Sequence, residues 1–154
     1  MTGRTMRRDD SKLVGATFEA GAPYLVTAER IASFCAAVGD HNPLYVDPEA
    51  AKAGPYGEII APPAFVASFR YADNVFDQIP RFGGGGLMGG IDFELEAPIR
   101  AGDSIRVSSE VKENYEKTGR TGTMIFAVIR SMLINQKGEV VARVDHRMMN
   151  RARP

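Results

Sequence analysis

From residue 27 onward the apolar positions follow two different periods. Ile31, Phe34, Cys35 and Val38 recur at helical spacing, and the Thr27 hydroxyl just before them can accept from an unpaired N–H of the first turn. Glu29 suits the positive end of the helix dipole and Gly39 stops the run, so the pattern predicts one helix with one apolar face. The turn-rich stretch GDHNPLYVD follows. Asp47-Pro48 then reads as a cap and a first helical residue, opening a short helix that Gly54-Pro55 ends. In PPAFVASFRYADNVF, residues 62–76, Phe65, Phe69, Ala72 and Phe76 line one face. Pro62 and Pro63 sit at the start, where proline is tolerated, so the spacing predicts a long, deeply buried helix.

After the glycines at 83–86 the helical period gives way to strand-like blocks. Segment 87–96 alternates through Ile91, Phe93 and Leu95, and segment 104–116 through Ile105, Val107 and Val111; 121–135 and 140–150 complete a set of long strands. Residues 14–18 and 24–26 are candidate short strands, and 117–120 and 135–138 have hairpin chemistry. Helices followed by an antiparallel meander define an α+β layout, with the sheet wrapped around the long central helix. MIFAVIRSMLI is apolar on both alternating sets, which a half-exposed strand does not need, and points to a partner chain over part of the sheet. The polar, basic residues 1–11 read as a flexible arm and 12–154 as a single domain.

Composition narrows the function classes. The 154 residues carry 19 basic and 19 acidic side chains, a formal charge of zero, so no excess field gathers a nucleic-acid backbone or an anionic membrane. No apolar run approaches the roughly 18 residues of a membrane span, and the opening MTGRTMRRDD has no apolar signal segment, so the expected location is cytoplasmic. With one cysteine, Cys35, and two distant histidines, His41 and His146, no metal site is expected. His146 reads as a structural or surface residue. FGGGGLMGG lacks the Lys-Ser or Lys-Thr of a phosphate loop and leads into a strand, which is expected to lie along a chain–chain interface.

Three segments, VGDHNPLYVDPEAA, EIIAPPAF and EAPIRAGDSIRV, together with the later NQKGEVVA hairpin, resemble in order and spacing the MaoC-like dehydratases, also called (R)-specific enoyl-thioester hydratases. The resemblance implies a hot-dog fold, two units paired side by side, and an acyl thioester bound between them, with water added to or removed from the carbons next to the thioester carbonyl. Active members carry an Asp and, five residues on, a His in a motif GDxNPxHxD, and a Gly N–H at the start of the central helix. The Asp and His hold and deprotonate one water, and the N–H faces the charge that develops on the carbonyl oxygen.

Carried over residue by residue, Asp40 stands at the motif's Asp, Asn42-Pro43 at its Asn-Pro and Asp47 at its last Asp. Tyr45 stands at the His, and Pro63, which has no N–H, at the Gly. Losing a general acid or base costs about 10² to 10⁴ in rate and losing an oxyanion donor about 10² to 10³. A phenol with a pKa near 10 is a poor substitute for an imidazole. The candidate catalytic residues are therefore Asp40, Tyr45 and the neighbouring His41; Tyr45 equally suits packing.

This pattern resembles the family's non-catalytic halves, whose role is to supply a wall for the acyl chain. Candidate substrate-binding residues are Asn42, Ile59, Ile60, Ala61, Phe65 and Phe69, with Arg81, Arg100 and Arg106 available to phosphates. The resemblance thus implies a hydratase or dehydratase subunit for enoyl- or 3-hydroxyacyl-thioesters of fatty-acid metabolism. It needs no cofactor, coenzyme A or acyl carrier protein being part of the substrate, and pairs with itself or with a catalytic MaoC-like subunit. The alternatives are an autonomous homodimeric (R)-specific enoyl-CoA hydratase and a non-catalytic acyl-thioester-binding module.

Overall fold

The computed structural model describes residues 14–19, 21–69 and 86–151; the expected arm, residues 70–76 of the expected central helix, and Arg81 lie outside the described residues. In chain order the elements are β1 (Thr17–Glu19), β2 (Tyr24–Leu25), α1 (Ala28–Val38), α2 (Pro43–Val46), α3 (Pro48–Ala53), a 3-10 helix (Pro63–Ser68), β3 (Leu87–Leu95), β4 (Ser104–Gly119), β5 (Gly122–Ile134) and β6 (Val140–Arg151). α1 begins and ends as its sequence predicts. The Thr27 hydroxyl accepts from the Arg30 N–H at 3.2 Å, and Gly39 closes the helix at φ 73°, a conformation a side chain resists.

The described strands form one antiparallel sheet in the order β1-β4-β5-β6-β3, with β2 also pairing with β4. Two turns set the register. Asn135 Oδ1 accepts from the Lys137 and Glu139 N–H groups, both at 3.0 Å, and ties the β5–β6 turn. The β4–β5 hairpin differs from expectation: the ladder runs on to Gly119, opposite Gly122, so the chain turns on Arg120-Thr121. A Thr118–Thr123 hydroxyl pair at 2.9 Å extends the ladder past the expected turn, and Gly122 takes up the positive φ of 112°.

One face of this sheet holds the core. Ile105 and Val107 of β4, Leu133 of β5, and Ala142 and Val144 of β6 pack against Ile31 and Cys35 of α1 and against Phe65, Val66 and Phe69. On β5, Ile129 and Leu133 of the inner set are fully buried, while Met124, Phe126 and Met132 of the outer set are only partly covered. The doubly apolar character of β5 therefore exceeds what the chain buries by itself.

The expected helix over 62–76 is corrected within the described residues. Pro63–Ser68 is 3-10, and Phe69 is extended at φ −72°, ψ 136°. The Ser68 hydroxyl donates to the Phe65 carbonyl at 2.7 Å, occupying the acceptor that the Phe69 N–H would use in an α-helix. Phe65 and Phe69 remain buried as an edge-to-face pair with centroids 5.6 Å apart.

Polar groups also reach the inner face. Ser109 and Ser131 share a hydrogen bond at 2.7 Å, and His146 of β6 is 3% exposed. Burial pushes the His146 imidazole below its ordinary pKa, against a smaller opposing pull from Asp145. The folded chain thus binds fewer protons at this site than the unfolded chain, whose histidines titrate near about 6.5. His146 leaves stability intact above that pH and lowers it as the pH falls through 6.5 toward the depressed folded value. Urea denaturation at pH 7.5, 6.5 and 5.5 is expected to show the wild type losing stability faster than His146→Gln, by up to about 1.4 kcal/mol per pH unit; equal slopes would refute the assignment.

Candidate functional site

The GDHNPLYVD stretch is shaped by successive side-chain caps. Past Gly39 the Asp40 N–H donates to the Cys35 carbonyl at 2.9 Å, and Asp40 Oδ1 accepts from the Asn42 N–H at 3.1 Å. Asn42 Oδ1 in turn accepts from the Leu44 N–H at 3.0 Å and opens α2, with Pro43 as its first residue. Asp47 closes α2 and caps α3, accepting from the Glu49 and Ala50 N–H groups at 2.9 and 3.3 Å. Each Asx residue of the motif thus has a backbone task, and their sum aims Tyr45 inward.

Tyr45 lines a cavity of about 370 Å³ together with Leu44 and Tyr56, the segment Ile60, Ala61, Pro62 and Pro63, and the stretch from Leu95 to Ile99 that leaves the end of β3. That size lies at the small end of the roughly 300–1,000 Å³ of ligand sites. Apart from the two tyrosines and Glu96 the wall is apolar, and Glu96 is paired with Arg143. Burial raises the Tyr45 pKa above its ordinary value, with added repulsion from Asp40, Cys35 and Tyr56 and a smaller opposing hydrogen bond from Asn42. The phenol therefore keeps its proton at neutral pH, where it can donate a hydrogen bond but cannot serve as a base.

Of the residues expected at a site, Tyr45, Ile60 and Ala61 meet at this cavity, and Asp40 lies close enough to Tyr45 to act on its charge. His41 is exposed on the turn and is not part of the wall. Asn42 caps α2 through its Oδ1 and also hydrogen-bonds the Tyr45 phenol, without lining the cavity itself. Ile59, Phe65 and Phe69 belong to the core and its margin, away from the cavity lining. Arg100 is held by Glu58 at 2.7 Å and Arg106 by Glu19 at 3.0 Å. Leu44, Tyr56, Pro62 and the stretch from Leu95 to Ile99 were not anticipated as lining; four of them are the EAPI segment, which had carried only the family resemblance.

A family model for the FAS1-like dehydratase domain region matches residues 12–144. The chain belongs to that family. The chain is 35% identical over 148 residues to a UPF0336 protein of Streptomyces avermitilis, covering 93% of this chain and 95% of the relative. It superposes on the MaoC-like dehydratase from Rhodospirillum rubrum with a TM-score of 0.72 at 25% identity, covering 92% of this chain and 94% of the other. A chain of the C-terminally truncated HadBC complex of Mycobacterium tuberculosis, a 3R-hydroxyacyl-ACP dehydratase, matches with a TM-score of 0.77 at 23% identity, covering 90% of this chain and 97% of that one. The chain has the hot-dog fold that its motifs implied.

Behind the motif, Cys35 is 1% exposed. Burial first, and then the Asp40 charge, push its thiol above the ordinary value. The thiolate is the reactive form, so a thiol reagent at pH 7.5 is expected to modify Cys35 only as fast as the protein opens, and to react at once in denaturant. Rapid labelling of the native protein would contradict this placement.

Proposed function

We propose that this chain is the substrate-holding half of a hydratase or dehydratase for enoyl- or 3-hydroxyacyl-thioesters, and that a second hot-dog chain brings the proton-transferring Asp and His. The observation that carries the reading is the cavity itself. Its two reactive positions hold Tyr45, a protonated phenol, and Pro63, which has no N–H, and most of its remaining wall is apolar. Dehydration removes a proton from C2 and expels the C3 hydroxyl as water, so it needs a base, an acid and a donor at the thioester oxygen. The same wall is suited to an acyl chain, at about 0.8 kcal/mol per buried methylene. Leu95, at the end of the edge strand β3, forms part of it, so a chain docked on β3 would border the same space.

A second reading, an autonomous homodimeric hydratase, draws on Asp40, which stands beside Tyr45. Crotonyl-CoA hydration separates the two. The purified chain is expected to run at least about 10²-fold below the same chain co-expressed with a GDxNPxHxD partner; ordinary hydratase turnover by the chain alone would overturn the proposal. In the assembled pair, Ala61→Leu adds three carbons to the wall and is expected to lower kcat/KM for the longest substrates by about tenfold to a hundredfold, leaving crotonyl-CoA within about threefold. An equal loss on all chain lengths would remove Ala61 from the acyl wall.

A further inference from the structure

A polar ligand meets few hydrogen-bond donors in the cavity. The N–H groups of Leu44, Tyr45, Ala61, Glu96 and Ala97 are already donated within the chain, and Pro62, Pro63 and Pro98 have none. Among the lining residues the side-chain donors are the two phenols, Tyr45 and Tyr56. Tyr56 is 43% exposed, so water can serve its hydroxyl, whereas Tyr45 is partly buried and packs against the core. Among the described residues of the wall none is basic, and the one acid, Glu96, is tied to Arg143. A carboxylate or phosphate would enter this space unpaired, so the space suits an uncharged group.

The direction of the Tyr45 hydroxyl is set from outside the cavity. Asn42 Oδ1 is turned to the Leu44 N–H at 3.0 Å as the cap of α2, which leaves the amide nitrogen for the Tyr45 phenol. That nitrogen can only donate, so Tyr45 Oη accepts and its own hydrogen is free to point into the cavity. The electrostatics agree: burial raises the phenol's pKa, and the Asn42 contact pulls it the other way, as an N–H on the phenolic oxygen does. A tyrosine fixed in this sense is a donor toward the cavity. An alkyl chain laid across it would strip its water and leave the hydroxyl unpaired, a cost that a ligand oxygen at the same place removes.

We infer that Tyr45 is the ligand-binding donor of this cavity, its proton aimed inward by Asn42, and that the acyl group it holds presents an uncharged oxygen there, a thioester carbonyl or a hydroxyl on the chain. The inference rests on the substrate-holding reading and adds the polar contact that selects the ligand. The test is isothermal titration calorimetry on the full chain with two ligand pairs, with circular dichroism as the folding control. Butyryl-CoA and S-butyl-CoA differ only in the carbonyl oxygen, and (R)-3-hydroxybutyryl-CoA and butyryl-CoA only in the hydroxyl, so the coenzyme contribution cancels within each pair. The wild type is expected to favour the oxygenated member of a pair about tenfold, in the first if the carbonyl meets Tyr45 and in the second if the hydroxyl does. Tyr45→Phe should bring that ratio to within about twofold of unity. Asn42→Asp keeps an oxygen for the Leu44 N–H but sets an acceptor against the phenol, turning its proton out of the cavity, and should lose the same preference although the tyrosine is still there. Should that variant not fold, Asn42→Ser, which keeps the cap without reaching the phenol, takes its place with a partial loss expected. A preference lost in Tyr45→Phe but kept whole in the Asn42 variant would overturn the part given to Asn42. Binding without preference in either pair, or a preference that Tyr45→Phe leaves intact, would overturn the inference and leave the substrate-holding reading standing. Failure of the folded wild type to bind any of these ligands would overturn both.

Discussion

The inner face of the β4–β5–β6 sheet, buried against α1 and the Pro63–Ser68 turn, is the contact on which the other features depend. Ile31 and Cys35 key α1 into that face, and each fully buried aliphatic side chain there contributes about 1.5–3 kcal/mol. Because α1 is held along its length, its end at Gly39 is fixed, and so is the departure of the capped turn that follows. Because Phe65 and Val66 are held, Ile60 to Pro63 are drawn across the sheet toward Leu95 to Ile99. The cavity is the space left between these two consequences.

That origin accounts for the chemistry of the cavity. Its wall is made of residues already committed to packing or capping: Asn42 spends its carbonyl on the Leu44 N–H, and Glu96 is paired with Arg143. What remains is a shape with one protonated hydroxyl directed inward. Such a place can hold an apolar chain and orient a polar head, and on the proposed reading proton transfer comes from a second chain. The half-bare strand β3 borders the same cavity through Leu95.

Much of this was legible in the sequence because the signals are local. The Thr27 cap and the Gly39 stop bracket α1, Asp47-Pro48 opens α3, and the four long strands fall close to their expected bounds, since alternation needs only neighbouring residues to be read. What was not legible depends on competition or on distance. The helical spacing of Phe65 and Phe69 is genuine, yet the Ser68 hydroxyl takes a carbonyl that periodicity cannot see. The Thr118–Thr123 pair moved a hairpin that residue types alone placed earlier. At the site, the motifs located Tyr45, Ile60 and Ala61, but Leu44, Tyr56, Pro62 and Leu95 to Ile99 were not foreseen there, and join them through tertiary packing. Phe65 and Phe69 were drawn into the core by the same packing.

On the proposed reading this chain holds the substrate and leaves proton transfer to a second chain. Asp40→Asn tests it most directly, because the amide keeps an oxygen for the Asn42 N–H while removing the carboxylate. In the assembled pair, crotonyl-CoA hydration should stay within about threefold of wild type. A loss of about 10² to 10⁴, the size expected for a general acid or base, would contradict the account.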